Sequence, residues 1–394
     1  MSSANINFKD HQFQISVLLL VCIIVAFSYP YLQYGVDGGL VLAGKINYPD
    51  YQSPMIFYFL NSWTAIHQIA YLFIKFGFSI ELSSKILMFF STFFFAFGAF
   101  LFSNSISRNS YISLIISILA IILGKNFGDT NYPSLIFSEH TYGMMSLALT
   151  SFTFGLLANN NLFAAYLFSF FLFAIHPVVG AWVIIIKSIY LFIPGIEKLS
   201  KKTIFKGIIC GAILTTISFL FFFISSIERG FTDIQLLKVY LELWDGHRAI
   251  SPNLHYEYLL KTIVLIISLL FLIKIYSGLS FRRGYNHILI LLISVTASTL
   301  IYLLYQLLPD IFPDSIKRIM PARFIMLHSF LGWPVILSIL YFFLESRFSK
   351  KKVFFVFLCF FILIFIQGYK KINVIKNNLL VSFQKEEDLK VVNF

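Results

Sequence analysis

Apolar runs long enough to cross a bilayer core of about 30 Å recur along this chain from residue 16 to residue 368. Inside hydrocarbon no water satisfies backbone N–H and C=O groups, so such runs must close their own hydrogen bonds. Helices do this within one segment. The short alternating strands of a membrane barrel are absent from the pattern. Only 12% of the residues are charged, about half the usual fraction for a soluble domain. The expected fold class is therefore all-α, a polytopic transmembrane helical protein with about 11 spans. No Pro/Gly/Ser linker, low-complexity tract or internal repeat divides it, so residues 1–394 read as one integral membrane domain.

The candidate spans are 16–34, 81–103, 111–124, 141–158, 162–176, 178–194, 203–225, 259–277, 285–307, 323–343 and 350–368. The polar start MSSANINFKDHQFQ and the lack of a small-residue cleavage site after 16–34 predict a retained first helix. Three connectors are basic: Lys198/Lys201/Lys202/Lys206, Arg282/Arg283 and Arg347/Lys350/Lys351/Lys352. Two spans separate each from the next, so the positive-inside rule puts all three in the cytoplasm. Counting back puts Arg108 and Asn159–Asn161 inside, and residues 35–80 and 125–140 outside. The stretch 55–77 then has no crossing to make. Trp63, His67, Gln68, Tyr58 and Tyr71 break its hydrophobicity, which predicts a juxtamembrane helix lying in the outer interface.

The charge distribution agrees with this layout. Outside segments hold 15 acidic and 15 basic residues, and inside segments hold three acidic and 13 basic ones. The net charge of +12 is dispersed between spans rather than gathered on a domain, so loop retention explains it and nucleic acid is not an expected partner. Cys22, Cys210 and Cys359 all lie in apolar spans without CxxC spacing, which indicates neither a disulfide framework nor a zinc site.

Chemistry should be sought in the external segments. Asp37 follows the first span in Val-Asp-Gly-Gly. Asp-Gly is a common turn pair, but a carboxylate at the membrane surface also suits a general base acting on an acceptor hydroxyl. Tyr48 and Asp50 form an aromatic–acidic cluster close behind it. Asp129, Thr130 and Asn131 with Glu139 and His140 offer a second acidic region, suited to a divalent ion, to substrate orientation, or to a capped and solvated loop. In WDGHRAISPNLHY, His247, Arg248 and His255 supply donors for phosphate or pyrophosphate, and the aromatic rings suit a sugar face or lipid headgroup. Arg318 and Arg323 with Lys317 stand at the outer end of a span, where they hold a lipid phosphate or anchor the helix. His176 precedes Pro177, which ends a helix by itself, and His67 needs only water in an interface. Lys187 lies well inside a span, where a charge is costly and marks a functional-site candidate; one buried acceptor or snorkelling is the preferred account.

Asp37 after the first span, then Gly44-Lys45-Ile46-Asn47-Tyr48-Pro49-Asp50, Ser53-Pro54 and an interfacial stretch ending in Phe76-Gly77, resemble the GT-C class of integral-membrane glycosyltransferases. The resemblance covers roughly the first half, 1–225, and residues 226–394 match by topology. Many relatives carry Asp-Glu where this chain has Asp37-Gly38. The resemblance implies a polyprenyl-phosphate-linked sugar as donor and Asp37 as base or acceptor-orienting group. Asp129 and Glu139 correspond by order to the second acidic loop. It also implies membrane lipid as a partner and no cofactor beyond a divalent metal ion at most. The expected function is sugar transfer on the external face of a bacterial inner membrane, in cell-envelope polysaccharide biosynthesis. A transporter or flippase, or a polymerase, of lipid-linked saccharides stands as the alternative.

Overall fold

The computed structural model describes residues 11–28, 36–46, 59–60, 62–123, 141–192, 198–227, 256–278, 282–308, 311–312, 329–349, 351–354, 356, 358–359 and 362. Among these residues there are helices and turns but no strand. The helices are α1 Gln12–Ser28, α2 Asp37–Leu42, α3 Ala65–Lys75, α4 Ile80–Ser107, α5 Ser110–Leu123, α6 Thr141–Ala158, α7 Leu162–Ile175, α8 Pro177–Ser188, α9 Lys198–Ile227, α10 Tyr256–Gly278, α11 Arg282–Leu307 and α12 Ser329–Arg347. A short 3-10 turn, Ile189–Phe192, extends α8.

Among the described residues, three stretches are by themselves long and apolar enough to cross a membrane: Ile80–Ser107, Ser200–Ile224 and Asn286–Leu307. Several other apolar helices, α7 and α8 among them, are shorter. The 14 residues of α7 rise only about 21 Å at 1.5 Å per residue. Within the expected external helix over 55–77, residues 62–64 are not helical, 55–58 and 61 lie outside the described residues, and α3 has 11 residues, far below the roughly 20 a crossing requires.

Lipid tails are as apolar as leucine, so these helices are held by close packing and hydrogen bonds rather than by escape from water. Glycines set the tightest approaches. A Cβ on Gly98 of α4 would lie 2.5 Å from the Phe152 nitrogen of α6, and one on Gly155 would lie 2.5 Å from the Gly98 carbonyl oxygen. Gly207 and Gly211, one turn apart on α9, would likewise overlap the carbonyls of Phe163 and Leu167 on α7. Several buried hydroxyls find partners in their own or a neighbouring helix. Thr92 donates to the Met88 carbonyl, Thr150 to Ser146, and Thr299 to Val295. Ser117 of α5 donates to the Ala96 carbonyl of α4.

Polar contacts show which helix ends share a level. At one end Gln14 donates to the Ser110 hydroxyl at 3.1 Å, Asn159 to the Leu101 carbonyl at 2.8 Å, and Asn109 to the Tyr341 hydroxyl at 3.0 Å. Ser105 meets the His287 Nε2 there at 3.1 Å. Helix α9 runs parallel to α7, because Gly207, Gly211 and Thr215 follow Phe163, Leu167 and Phe170 in step. Lys201, Lys202 and Lys206 therefore join Arg108, Arg347, Lys351, Lys352 and the start of α11 at this basic end. The connectors here are tight. Arg108 and Asn160 adopt left-handed φ of 53° and 57°, and the Asn109 and Asn161 side chains cap α5 and α7. At the opposite end Lys85 reaches the Phe27 carbonyl at 3.4 Å, and α2, α3, the start of α6 and the α7–α8 junction gather.

Lys187 is fully buried, so snorkelling plays no part. Its Nζ donates to the Ser169 hydroxyl at 3.0 Å and sits 4.9 Å from the Phe154 ring centre.

Candidate functional site

The end opposite the basic connectors is built around α3. The Thr64 hydroxyl accepts from the Ile66 N–H and starts this helix. Gly77, with φ +85°, lets the chain turn back after it. One face of α3 is latched to α9 by a closed set of hydrogen bonds. Trp63 Nε1 donates to Ser218 Oγ at 3.1 Å, Ser218 Oγ donates to Gln68 Oε1 at 2.8 Å, and Gln68 Nε2 donates to the Ser218 carbonyl at 2.9 Å. The Trp63 ring lies edge-on between Phe173 and Phe219, 5.6 and 5.2 Å away. The polar residues that break the hydrophobicity of this stretch thus fix it to the bundle.

Helix α2 rests on the other face. Gly38 lies so close to the His67 imidazole that a Cβ there would overlap the ring, and a Cβ on Gly39 would lie 2.5 Å from that of Ala70. The Gly-Gly pair therefore seats α2 flat on α3, and Asp37, half-buried, is its first residue. Gly44, with φ +65°, turns the chain away just past the end of α2.

Beneath Gly38, His67 is buried. Its ring stands edge-on to Phe59 at 5.7 Å and to Tyr142 at 5.9 Å. Tyr142 in turn lies 5.6 Å from the His176 ring. The Nδ1 of His67 is buried without a hydrogen-bond partner. Loss of solvation pushes its pKa down to about 4, so the imidazole is neutral at pH 7. His176 uses its Nδ1 to accept from the Val179 N–H at 3.5 Å, capping α8 with Pro177 in the first turn.

Asp37, His67, Tyr142 and His176 thus come from four distant points of the sequence to one end of the bundle. A carboxylate there can take a proton, and a neutral imidazole can donate one hydrogen bond and accept another but cannot act as a cation toward phosphate. Aromatic rings suit the apolar face of a sugar.

Of the site residues expected from sequence, Asp37 is described. Tyr48, Asp50, Asp129, Glu139, His140, His247, Arg248, His255, Arg318 and Arg323 lie outside the described residues. Among the described residues no group of three His, Cys, Asp or Glu side chains is arranged to hold a metal ion. Sequence reasoning passed over His67 and His176 and had no signal for Tyr142. The one available hint was Gly38-Gly39, a pair whose lack of side chains allows another helix to lie directly against it. No protein-family model, curated protein or solved structure matches this chain.

Proposed function

We propose that this protein is a membrane glycosyltransferase that moves a sugar from a polyprenyl-phosphate donor to an acceptor hydroxyl at the external face of a bacterial inner membrane. In this reading about 11 crossings surround the reaction, and the basic end faces the cytoplasm. The observation that carries the proposal is the seating of Asp37 on α3, beside the His67–Tyr142–His176 row and at the end opposite the basic connectors.

The Asp37 carboxylate accepts the proton of the acceptor hydroxyl as that oxygen attacks the anomeric carbon. The bond from that carbon to the phosphate oxygen breaks, its electron pair leaves with the polyprenyl phosphate, and direct displacement inverts the anomeric centre. Arg248, His247 and Arg323 supply the positive charge that stabilises the departing phosphate. Neutral His67, buried beneath Gly38, brings no charge to the donor and supports α2 behind Asp37.

The test is transfer from a panel of radiolabelled polyprenyl-phosphate sugars by the purified protein and its Asp37→Asn variant. The parent should transfer from at least one donor, and the variant should lose about 10²–10⁴-fold in rate with an unchanged Tm. Full activity in the variant removes Asp37 from the reaction. No transfer from any donor, with lipid-linked saccharide moving across proteoliposomes instead, replaces the enzyme by a flippase.

A further inference from the structure

The Arg347/Lys350/Lys351/Lys352 connector does more than mark the basic end. Helix α12 finishes its last turn with the Phe348 N–H on the Leu344 carbonyl, and the next helical turn opens with the Val353 N–H on the Ser349 carbonyl. Between them lies a cavity of about 480 Å³, lined by Leu344, Phe348, Lys351, Lys352, Val353 and Val356. That volume is in the range of small-ligand sites. Among the described residues its lining is almost wholly apolar, the stems of Lys351 and Lys352 included.

The elbow is anchored from behind. Val353 is buried against Ile112, Ile116, Leu119, Leu337 and Tyr341, which ties the returning segment to α5 and α12. The nearby acid Glu345 is engaged with the Tyr341 hydroxyl, which also accepts from Asn109. Lys351 and Lys352 are exposed, and Phe348 and Val356 each leave about half their surface uncovered, at 54% and 52%. An apolar groove beside two exposed lysines, at the basic end of the bundle, matches a molecule with an anionic head and a hydrocarbon tail.

We infer that this elbow binds one anionic phospholipid, with an acyl chain along Leu344, Phe348, Val353 and Val356 and its phosphate between Lys351 and Lys352. A zwitterionic lipid carries a cation of its own, which opposes the two lysines. Free phosphate leaves the apolar wall uncovered. The inference is independent of the proposed sugar transfer.

The experiment titrates the delipidated full-length protein with phosphatidylglycerol, phosphatidylcholine or inorganic phosphate, reading bound lipid by native mass spectrometry and Tm by intrinsic fluorescence. Phosphatidylglycerol should raise Tm and occupy one site more tightly than phosphatidylcholine, and phosphate should do neither. The double variant Lys351→Gln/Lys352→Gln should weaken that site about tenfold, the loss of one charge-assisted hydrogen bond. Val356→Trp, which fills the groove and keeps both charges, should weaken it as well. The control Lys201→Gln/Lys202→Gln, with the same net charge change elsewhere at the basic end, should leave it intact. Equal responses to the two lipids, equal losses in both double variants, full binding by Val356→Trp, or stabilisation by phosphate alone would each overturn the assignment.

Discussion

His67 shows what the bundle does to a single side chain. Gly38 on one side, and Phe59 and Tyr142 edge-on to the ring, exclude water and leave the imidazole neutral. Its folded pKa of about 4 lies below the ordinary value of 6.5. Between those two values the unfolded chain binds a proton that the folded one rejects. Stability is therefore complete above pH 6.5 and is lost as the pH falls toward 4, by up to about 3 kcal/mol. Tm measured across that window should fall with acidification in the parent, and His67→Phe should flatten the slope. An unchanged slope in the variant would mean that His67 is solvated in the native protein. Asp37, at the start of the neighbouring α2, stands out in the sequence because an acid beside a membrane span is unusual. His67 does not, because a histidine in an amphipathic stretch is satisfied equally well by water.

At the scale of elements, glycine decides where helices touch. Gly98 and Gly155 bring α4 and α6 into backbone contact, while a Cβ on Gly143, also on α6, would meet nothing within 4 Å. Gly98→Ala should therefore lower stability by about 1–3 kcal/mol through overpacking. Gly143→Ala should be neutral or stabilise by up to about 1 kcal/mol through helix propensity. Thermal unfolding of both variants in one detergent separates the two cases, and equal effects would remove close packing as the cause. The helix ranges themselves follow the apolar runs closely: α6, read as 141–158, is Thr141–Ala158, and α7, read as 162–176, is Leu162–Ile175. Asparagine caps and left-handed Arg108 and Asn160 sharpen these ends. The stretch 55–77 was less legible. Its composition predicts one long amphipathic helix, but residues 62–64 are not helical and α3 starts at Ala65 under the Thr64 cap.

For the whole molecule, the spacing of basic connectors predicts which helix ends share a side, and the contacts of Gln14, Leu101, His287 and Tyr341 bring those ends together. Single cysteines on a cysteine-free background test the orientation in intact cells. Lys45→Cys should react with an impermeant maleimide from outside, and Lys201→Cys only after permeabilisation; the reverse pattern would invert the protein and move Asp37 to the cytoplasmic face. Hydropathy and charge are properties of the chain itself, read by the membrane before any helix meets another. For that reason the sequence alone determined the helical class, the order of the elements and the common side of Arg108, Asn160 and the lysine clusters. Which residues surround Asp37 depends on how α2, α3, α6 and the α7–α8 junction pack. Glycine contacts, aromatic edges and the Ser218 latch govern that packing, and none of them follows a periodic pattern along the chain. Only the tertiary structure could bring His67, Tyr142 and His176 together.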